Sequence, residues 1–471
     1  MPQVKIKETD LTTAPLGEYK NFAVVVPGIL GKNDAGTDVD GSAFNVDGIC
    51  ELRTQAEFVA KVGIANNPLS ITTTTPAVEA VEGVHFTAEE IAAASEGDPA
   101  YGKTTDDWKV APVEGKAATT ETRVVQIGNQ IAYELLGLGY PVIYKKIEAA
   151  ADLDNDTFWE PLKDKATYDF RFIISGLLSD NGQSVGKKII KVVNYDEDNA
   201  TEVNGKGRGD AVALLDIDES VYNTTTNRAS RNALLSAITA NANLIGKSKY
   251  AAVFAPTVCL LGTDSAYDNH KFPASFYYLA CFKYMLDHGF AEWYAAAGYT
   301  RGVCKYNVES ADVNFGEYLI NALEPRSLGS ETGALAIAVN VVAKIRGNYY
   351  LWGNRTAEGL KNELVASHFL NIRQLCSTLK KQIYIACRRF TFDPNSDVLW
   401  INFCNALKPT LEGMKADQGI KDYKIVKLYT AKKAELKARV RIIPIEAVED
   451  FDIEITLEDN FGETSATAVE R

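Results

Sequence analysis

The sequence predicts an α+β / α/β multidomain protein: mixed-sheet domains, then a C-terminal helix-plus-sheet module, with extended arms at both ends. Three observations lead there. Short apolar runs such as FAVVVPG and DAVALLD alternate with helical spacing through the first two-thirds of the chain, as in a mostly parallel or mixed sheet with buried strands. The last portion instead carries a long helix, a second helix and strands of period-two alternation. Charge also shifts along the chain. Residues 1–330 hold 29 Lys+Arg against 44 Asp+Glu, a net of −15; residues 344–441 hold 19 against 8, a net of +11; residues 446–471 hold 1 against 9, a net of −8.

In chain order, residues 1–20 read as an arm. Val4 and Ile6 alternate with Lys5 and Lys7, and the TTAPLGEYK stretch then breaks the pattern. A strand so short and isolated needs a sheet to join. NFAVVVPGIL (21–30) reads as a buried strand and ICELRTQAEFVAKVG (49–63) as a helix with apolar spacing at Leu52, Phe58, Val59 and Val62. Residues 65–120 turn rich in Thr, Pro, Gly, Ala and acids, interrupted by Phe86, Tyr101 and Trp108, and read as a peripheral insertion. RVVQIGNQIAYELLGLG (123–139) reads as a helix and YPVIYKKI (140–147) as a strand. Strand and helix then alternate through GRGDAVALLDID, NRASRNALLSAITANANLIG, KYAAVFAP and ASFYYLACFKYMLDHGFAEWYAAAG.

Residues 357–389 read as one long helix, Asp393-Pro394 as a break, and VLWINFCNALKPTLEGM (398–414) as a second helix. YKIVKL, ELKARVRIIPI and FDIEITL read as three strands. In the last, Phe451, Ile453, Ile455 and Leu457 alternate with Asp452, Glu454, Thr456 and Glu458. The expected divisions are an N-terminal arm 1–20, an α/β region 21–330 with the 65–120 insertion, a C-terminal module 331–458 and an acidic arm 459–471. A chain of 471 residues is too long for one ordinary core.

Composition excludes several classes. The net charge of −13 argues against general nucleic-acid binding. No apolar run reaches a bilayer span, and MPQVKIKETD lacks the apolar core of a signal peptide, so no membrane insertion is expected. Seven cysteines without a CxxC pair and four scattered histidines suggest reduced thiols and no zinc site. NGKGRGD (204–210) lacks phosphate-loop spacing and precedes a strand, which favours a plain turn. The acids Asp210, Asp216, Asp218 and Glu219 at a strand end suit capping better than a cation. Ser265 near His270 lacks a nucleophile elbow, and Cys376 lies eight residues from His368 on the expected helix. No catalytic constellation, cofactor site or metal site emerges, so an enzyme is not expected.

The segments WYAAAGYTRG (293–302), GNYYLWGNRT (347–356), HFLNIRQL (368–375), FTFDPNSDVLW (390–400) and the closing RIIPIEAVEDFDIEITL (441–457) resemble the tail sheath proteins of contractile-tailed bacteriophages and related contractile injection machines. FAVVVPG, EFVAKVG, AYELLGLGYPVIYKKI and RGDAVALLD fit the N-terminal half more loosely. Ala296 stands where that family commonly has proline, and Gln374 follows Arg373 where a second arginine is usual.

The resemblance implies a structural subunit without cofactors. It would polymerise as a helical homo-oligomer of hexameric rings around an inner tail tube protein, meet baseplate and tail terminator proteins, and contract to drive the tube through the target envelope for genome ejection. The implied location is the virion tail, assembled in the host cytoplasm. In that family terminal arms exchange strands with neighbouring subunits, which gives Val4, Ile6, Phe451, Ile453, Ile455 and Leu457 an inter-subunit role. Alternation alone fits edge strands of the same domain equally well. The family's C-terminal module lies nearest the tube. The basic segment then offers Lys380, Lys381, Arg388 and Arg389, with Lys432, Lys433 and Lys437, as tube-facing candidates; solvent-facing positions or contacts to a neighbour's acidic tail are the alternatives. Tyr349, Leu351, Trp352, Gly353, Arg355 and Thr356 would form a structural corner against the terminal sheet, with Asn354 or Thr356 capping the long helix. The rival readings are an α/β enzyme with an unrecognised site, or another virion part such as a tube or capsid protein.

Overall fold

A computed structural model of the protein describes residues 21–32, 39–63, 69–75, 82–95, 98–110, 119–125, 128–176, 184–195, 207–223, 227, 230–263, 270–323, 337–358, 365–430 and 435–445. Its strands, numbered along the chain, begin with β1 (Val24–Gly28), β2 (Ile49–Leu52), β3 (Leu69–Thr75), β4 (Val84–His85), β5 (Trp108–Val110) and β6 (Thr119–Val125). There follow β7 (Val142–Lys146), β8 (Phe172–Ile174), β9 (Val212–Asp216), β10 (Ala251–Ala255), β11 (Val258–Leu261) and β12 (Lys271–Phe272). The last are β13 (Asn307–Ala311), β14 (Val339–Ile345), β15 (Asn348–Trp352), β16 (Ile420–Leu428) and β17 (Lys437–Pro444).

An eight-stranded sheet in the order β15-β14-β10-β9-β8-β1-β7-β2 forms the body. From β14 to β7 every pairing is parallel; only the edge strands β15 and β2 are antiparallel to their neighbours. Apolar runs such as VVV, VALL and AAVFA follow from this position, since both faces of a central strand are covered. Val25, Ile143, Ile173, Leu215 and Val253 point into one core, covered by the helices Ser184–Val193, Arg231–Ile245 and Glu317–Leu323. Val24, Tyr144, Phe172, Leu214 and Phe254 point into the other, covered by the helices Gln55–Lys61, Asn129–Gly137 and Ala274–Asp287. The predicted mixed α/β body is therefore a three-layer arrangement.

Two expectations in this half are corrected. Of the stretch 49–63 read as one helix, Ile49–Leu52 is β2 and the helix is Gln55–Lys61. The helix read from residue 123 starts at Asn129, and Thr119–Val125 is β6, paired in antiparallel register with all of β3. The β-branched run on each strand favours this ribbon over a helical turn. The 65–120 region contains β3 and the first two residues of β6, the short β4–β5 pair with His85 stacked on Trp108 at 3.7 Å, and the capped helix Ala88–Ala93.

The C-terminal module is separate in its core. The helices Leu370–Arg389 and Asp397–Ala416 pack with the β16–β17 hairpin around Leu375, Leu379, Phe403, Leu407, Leu411 and Met414. Pro409 lies inside the second helix without ending it. The long helix begins at Leu370 and not at residue 357. Ala357 forms a β-bridge with Ser248 and Phe369 one with Arg355, and Ala366–His368 is a single 3-10 turn, so the described residues before Leu370 do not continue the α-helix. The third predicted strand, at 451–457, lies outside the described residues, as do the arms 1–20 and 459–471.

The acidic strand end resolves as capping. Asp216 closes β9, and its carboxylate accepts the Ser275 amide at 2.9 Å and the Ser275 hydroxyl at 2.5 Å, at the start of the Ala274–Asp287 helix. Asp218 accepts from the Ser220 amide at 2.7 Å. Burial pushes Asp216 from its ordinary 3.8 up to about 7. The fold thus favours the neutral acid. The stability this contributes is complete below the unfolded carboxyl's pKa and is lost as pH rises through about 7. Asp216→Asn mimics the neutral acid. It should flatten the decline of thermal midpoint that the wild type shows as the medium goes from acidic to neutral. An equal decline in both proteins would assign the pH dependence to other groups.

Candidate functional site

The Leu370–Arg389 helix is apolar on one side and polar on the other, and both sides are buried. Leu375, Leu379 and Ala386 face the module core. Arg373, Gln374, Ser377, Thr378, Lys381 and Gln382 are also buried, against the body. This polar face is the seam between the two parts of the protein.

Arg171, at the start of β8 and fully buried, is the hub of the seam. It donates from Nε to Gln374 Oε1 at 2.7 Å, from Nη1 to Thr378 Oγ1 at 2.7 Å, and from Nη2 to Glu292 Oε2 at 3.1 Å and the Gln374 carbonyl at 2.5 Å. Thr378 in turn donates to Glu292. A guanidinium removed from water must meet a carboxylate and fill its remaining donors, and this one does both. Gln374 is the principal acceptor. A second arginine there would set two cations against each other.

A parallel network lies beside it. Arg208 pairs with Asp210 at 3.0 Å and donates to the Tyr168 carbonyl at 2.5 Å. Lys381 pairs with Asp169 at 2.5 Å and with Asp210 at 3.6 Å. Lys380 donates to the Gly209 carbonyl at 2.8 Å and to the Tyr250 hydroxyl at 2.9 Å. Burial, with Arg373 nearby, lowers Lys380 to about 8. The described end of the NGKGRGD stretch, residues 207–210, thus lies against the C-terminal helix. In this chain Lys380 and Lys381, read as tube-facing candidates, are turned inward onto the seam.

The GNYYLWGNRT stretch is an edge hairpin. Arg346 and Gly347 both have positive φ, 51° and 93°, in a two-residue turn that joins β14 to β15. Leu351 packs into one core of the body, with Tyr349 against the same core and Trp352 against the other. These side chains rest on the eight-stranded sheet and not, as expected, on the terminal one. Gly353 has φ 132°, and a Cβ there would meet Asn340 Oδ1 at 2.8 Å. Asn340 uses that oxygen for the Arg355 amide at 2.7 Å. Buried Arg355 stacks on Phe369 at 4.7 Å, and Thr356 donates to the Ser367 carbonyl at 2.9 Å. Asn354 Oδ1 accepts the Asn371 amide at 3.1 Å, which caps the long helix across a chain break in secondary structure. Tyr299 and the Gly302 carbonyl of the WYAAAGYTRG stretch meet this hairpin, and Trp293 donates to the Asp417 carbonyl at 2.9 Å. Segments far apart in sequence thus converge on the seam.

The outward side of the module differs. Arg388 and Arg389 end the first helix, exposed, beside the turn to the second. Ile385, Phe392, Val398 and Ile401 are exposed around that turn, and Phe392 is wholly so with φ 76°. The β16–β17 sheet has only two strands among the described residues, so each has one edge unpaired there. One face packs inward through Tyr423, Ile425, Val440 and Ile442. The other carries Lys424 directly opposite Arg441, flanked by Arg439 and Lys437, all exposed. Like charges directly opposed across strands are unfavourable alone. Lys432 and Lys433 lie outside the described residues.

His270 holds Thr263 at 2.6 Å, and Ser265 lies outside the described residues. Among the described residues no group of His, Cys, Asp and Glu is arranged to hold a metal ion, and no helix is long and apolar enough to cross a membrane.

No family model matches the chain, and neither does any curated protein. Solved structures do. A chain of the anti-feeding prophage baseplate matches at 13% identity and TM-score 0.55, covering 97% of this chain and 99% of that one. The sheath of an extracellular contractile injection system (PVC) in its contracted state matches at 13% identity and TM-score 0.54, covering 98% of each chain. The contracted helical sheath of the anti-feeding prophage matches at 13% identity and TM-score 0.53, covering 97% and 99%. The chain has the fold of contractile injection-system sheath proteins.

Arg171→Met removes the cation from a buried carboxylate and should destabilise the protein by about 3–5 kcal/mol in chemical denaturation. Adding Glu292→Gln should return part of that loss, since the uncompensated charge disappears with it. A single-mutant cost below about 1 kcal/mol would mean the seam is held by its other contacts.

Proposed function

We propose that this protein is a structural sheath subunit of a contractile machine, which assembles helically around a tube and performs no chemistry on a substrate. What carries the reading is the end-to-end correspondence of fold. Layered α/β bodies are widespread and host many functions, but here the likeness runs over nearly the whole of both chains and takes in the terminal module. The enzyme alternative would need a concave site with convergent polar groups. The buried polar groups of the seam, from Arg171 and Glu292 to Lys381 and Asp210, hold the protein's two parts together.

In this reading subunits join by strand addition at the open edges of β16 and β17. The segment 451–458 supplies a strand pattern with alternating acids, and the sheet face it would border is cationic. Val4 and Ile6 offer a second strand. Acidic residues supplied by a neighbour would relieve the opposition of Lys424 and Arg441. The tube contact falls to Arg388, Arg389 and the apolar turn around Phe392, with Lys432, Lys433 and Lys437 as a second group. Each exposed charge pair is worth only about 0–1 kcal/mol, which suits contacts that contraction must break. The working location is an assembled particle with a tube and a baseplate, and driving the tube through an envelope, for genome ejection or delivery of other cargo, is its action.

Electron microscopy of the purified protein separates the readings. Hollow striated cylinders are expected. Thin tubes or closed shells would point to another particle component, and discrete particles alone would overturn the sheath reading. Ile453→Pro with Ile455→Pro removes two ladder donors. That variant should melt as the wild type does yet form no cylinders; long cylinders would refute strand addition by this segment.

A further inference from the structure

Three cations converge on one buried phenol beside the seam. Arg373 Cζ lies 4.7 Å from the centre of the Tyr250 ring, Lys380 Nζ 4.8 Å and Lys249 Nζ 5.7 Å. Lys249 and Tyr250 lead directly into β10. Arg373, Ser377 and Lys380 stand at i, i+4 and i+7 of the long helix and so share one face. Lys380 also donates to the Tyr250 hydroxyl, which ties the helix to the strand end.

Among the described residues none of these three cations forms an ion pair. Asp210, whose charge reaches Lys380, is already shared by Arg208 at 3.0 Å and Lys381 at 3.6 Å. Arg373 is only 7% exposed, yet its Nε has no hydrogen-bond partner, and neither has Oγ of the fully buried Ser377. A ring face attracts a cation but does not neutralise three of them. A guanidinium taken out of water without an anion is costly. Two other buried arginines show what this protein ordinarily supplies: Arg171 has Glu292 and Arg208 has Asp210. The crowding is felt at Lys380, which is lowered to about 8 by burial first and then by Arg373, with Lys249 acting in the same direction.

We infer that this cluster is a binding site for a small tetrahedral oxyanion of the phosphate class. A guanidinium edge presents directed donors to such an ion, and lysines add charge without demanding a direction. The Ser377 hydroxyl lies between them in the helix and offers a neutral donor. Lys249 and Lys380 are half-buried, so the ion has a way in from solvent. A spherical halide matches neither the fork nor the spread of donors. Bound there, the ion links the start of β10 to the long helix and adds to the seam a contact that the chain alone lacks. The inference does not depend on the sheath reading.

The test uses dispersed full-length protomers dialysed free of phosphate and sulfate. Calorimetric titration with inorganic phosphate, against sodium chloride at matched ionic strength, should show saturable binding of one ion per protomer. Lys249→Gln changes a half-buried position and should fold; it should bind phosphate about tenfold more weakly, the loss of one charged donor. Thermal midpoints give a second readout. In phosphate-free buffer Lys249→Gln should melt above the wild type, because repulsion around Tyr250 falls. In saturating phosphate it should melt below. General salt effects act on both proteins alike, so the reversal isolates the site. No saturable binding by the wild type, equal binding by both proteins, or midpoints that keep the same order in both buffers would each overturn the inference.

Discussion

A single buried guanidinium sets the geometry of this protein. Arg171 emerges at the start of β8, in the middle of the eight-stranded sheet, and spends its donors on Gln374, Thr378 and Glu292. The sheet fixes the position of Arg171, and the guanidinium fork fixes the direction of what it binds. The long helix must therefore lie where Gln374 and Thr378 reach that fork. Everything C-terminal, from the second helix to the β16–β17 hairpin, is built on that helix and inherits its orientation.

A polar seam has a mechanical consequence that an apolar one would lack. Apolar contacts tolerate sliding, because area is conserved under small shifts. Charge-assisted hydrogen bonds are directional, and a buried ion that loses its partner is heavily penalised. The helix combines both kinds of contact. Its apolar face makes the module one body, while its polar face locks that body at one angle to the sheet. Arg208, Asp210, Lys381 and Asp169 repeat the device alongside, so rotation about the Arg171 hub would break the second network. Forces applied to the module are thereby passed to the sheet.

Much of the body could be read from the sequence, for a local reason. A strand covered on both faces must be apolar throughout, and VVV, VALL and AAVFA announce it without any knowledge of neighbours. Asn354 does hold an amide of the long helix, but from 17 residues away rather than as the local cap of a helix beginning near residue 357. The seam was not legible. Arg171 and Gln374 are 203 residues apart, and nothing local distinguishes a lysine bound for the interior from one bound for solvent. Lys380 and Lys381 were therefore read as surface charge, when the fold places Asp169, Asp210 and the Gly209 carbonyl against them. The excess of positive charge in residues 344–441 is real, but part of it neutralises acids of the body. The start of the long helix was misplaced because Ala357 and Phe369 join bridges to distant residues, a tertiary effect that helical spacing cannot show.

The terminal hairpin is the element least complete in itself. An isolated two-stranded sheet is marginal in water, and this one is supported on one face only. Its other face opposes Lys424 to Arg441, and among the described residues no strand pairs with its outer edges. Exposed edges are ordinarily blunted, and charge on the strands is one way of doing so. The same cations that discourage random pairing are compatible with one kind of strand, an acidic one. The chain carries such a pattern in FDIEITL, directly beyond the hairpin. Repulsion within the hairpin and attraction toward an acidic strand are one electrostatic fact seen in two states. The uncapped sheet is kept from indiscriminate aggregation by the feature that would select its partner.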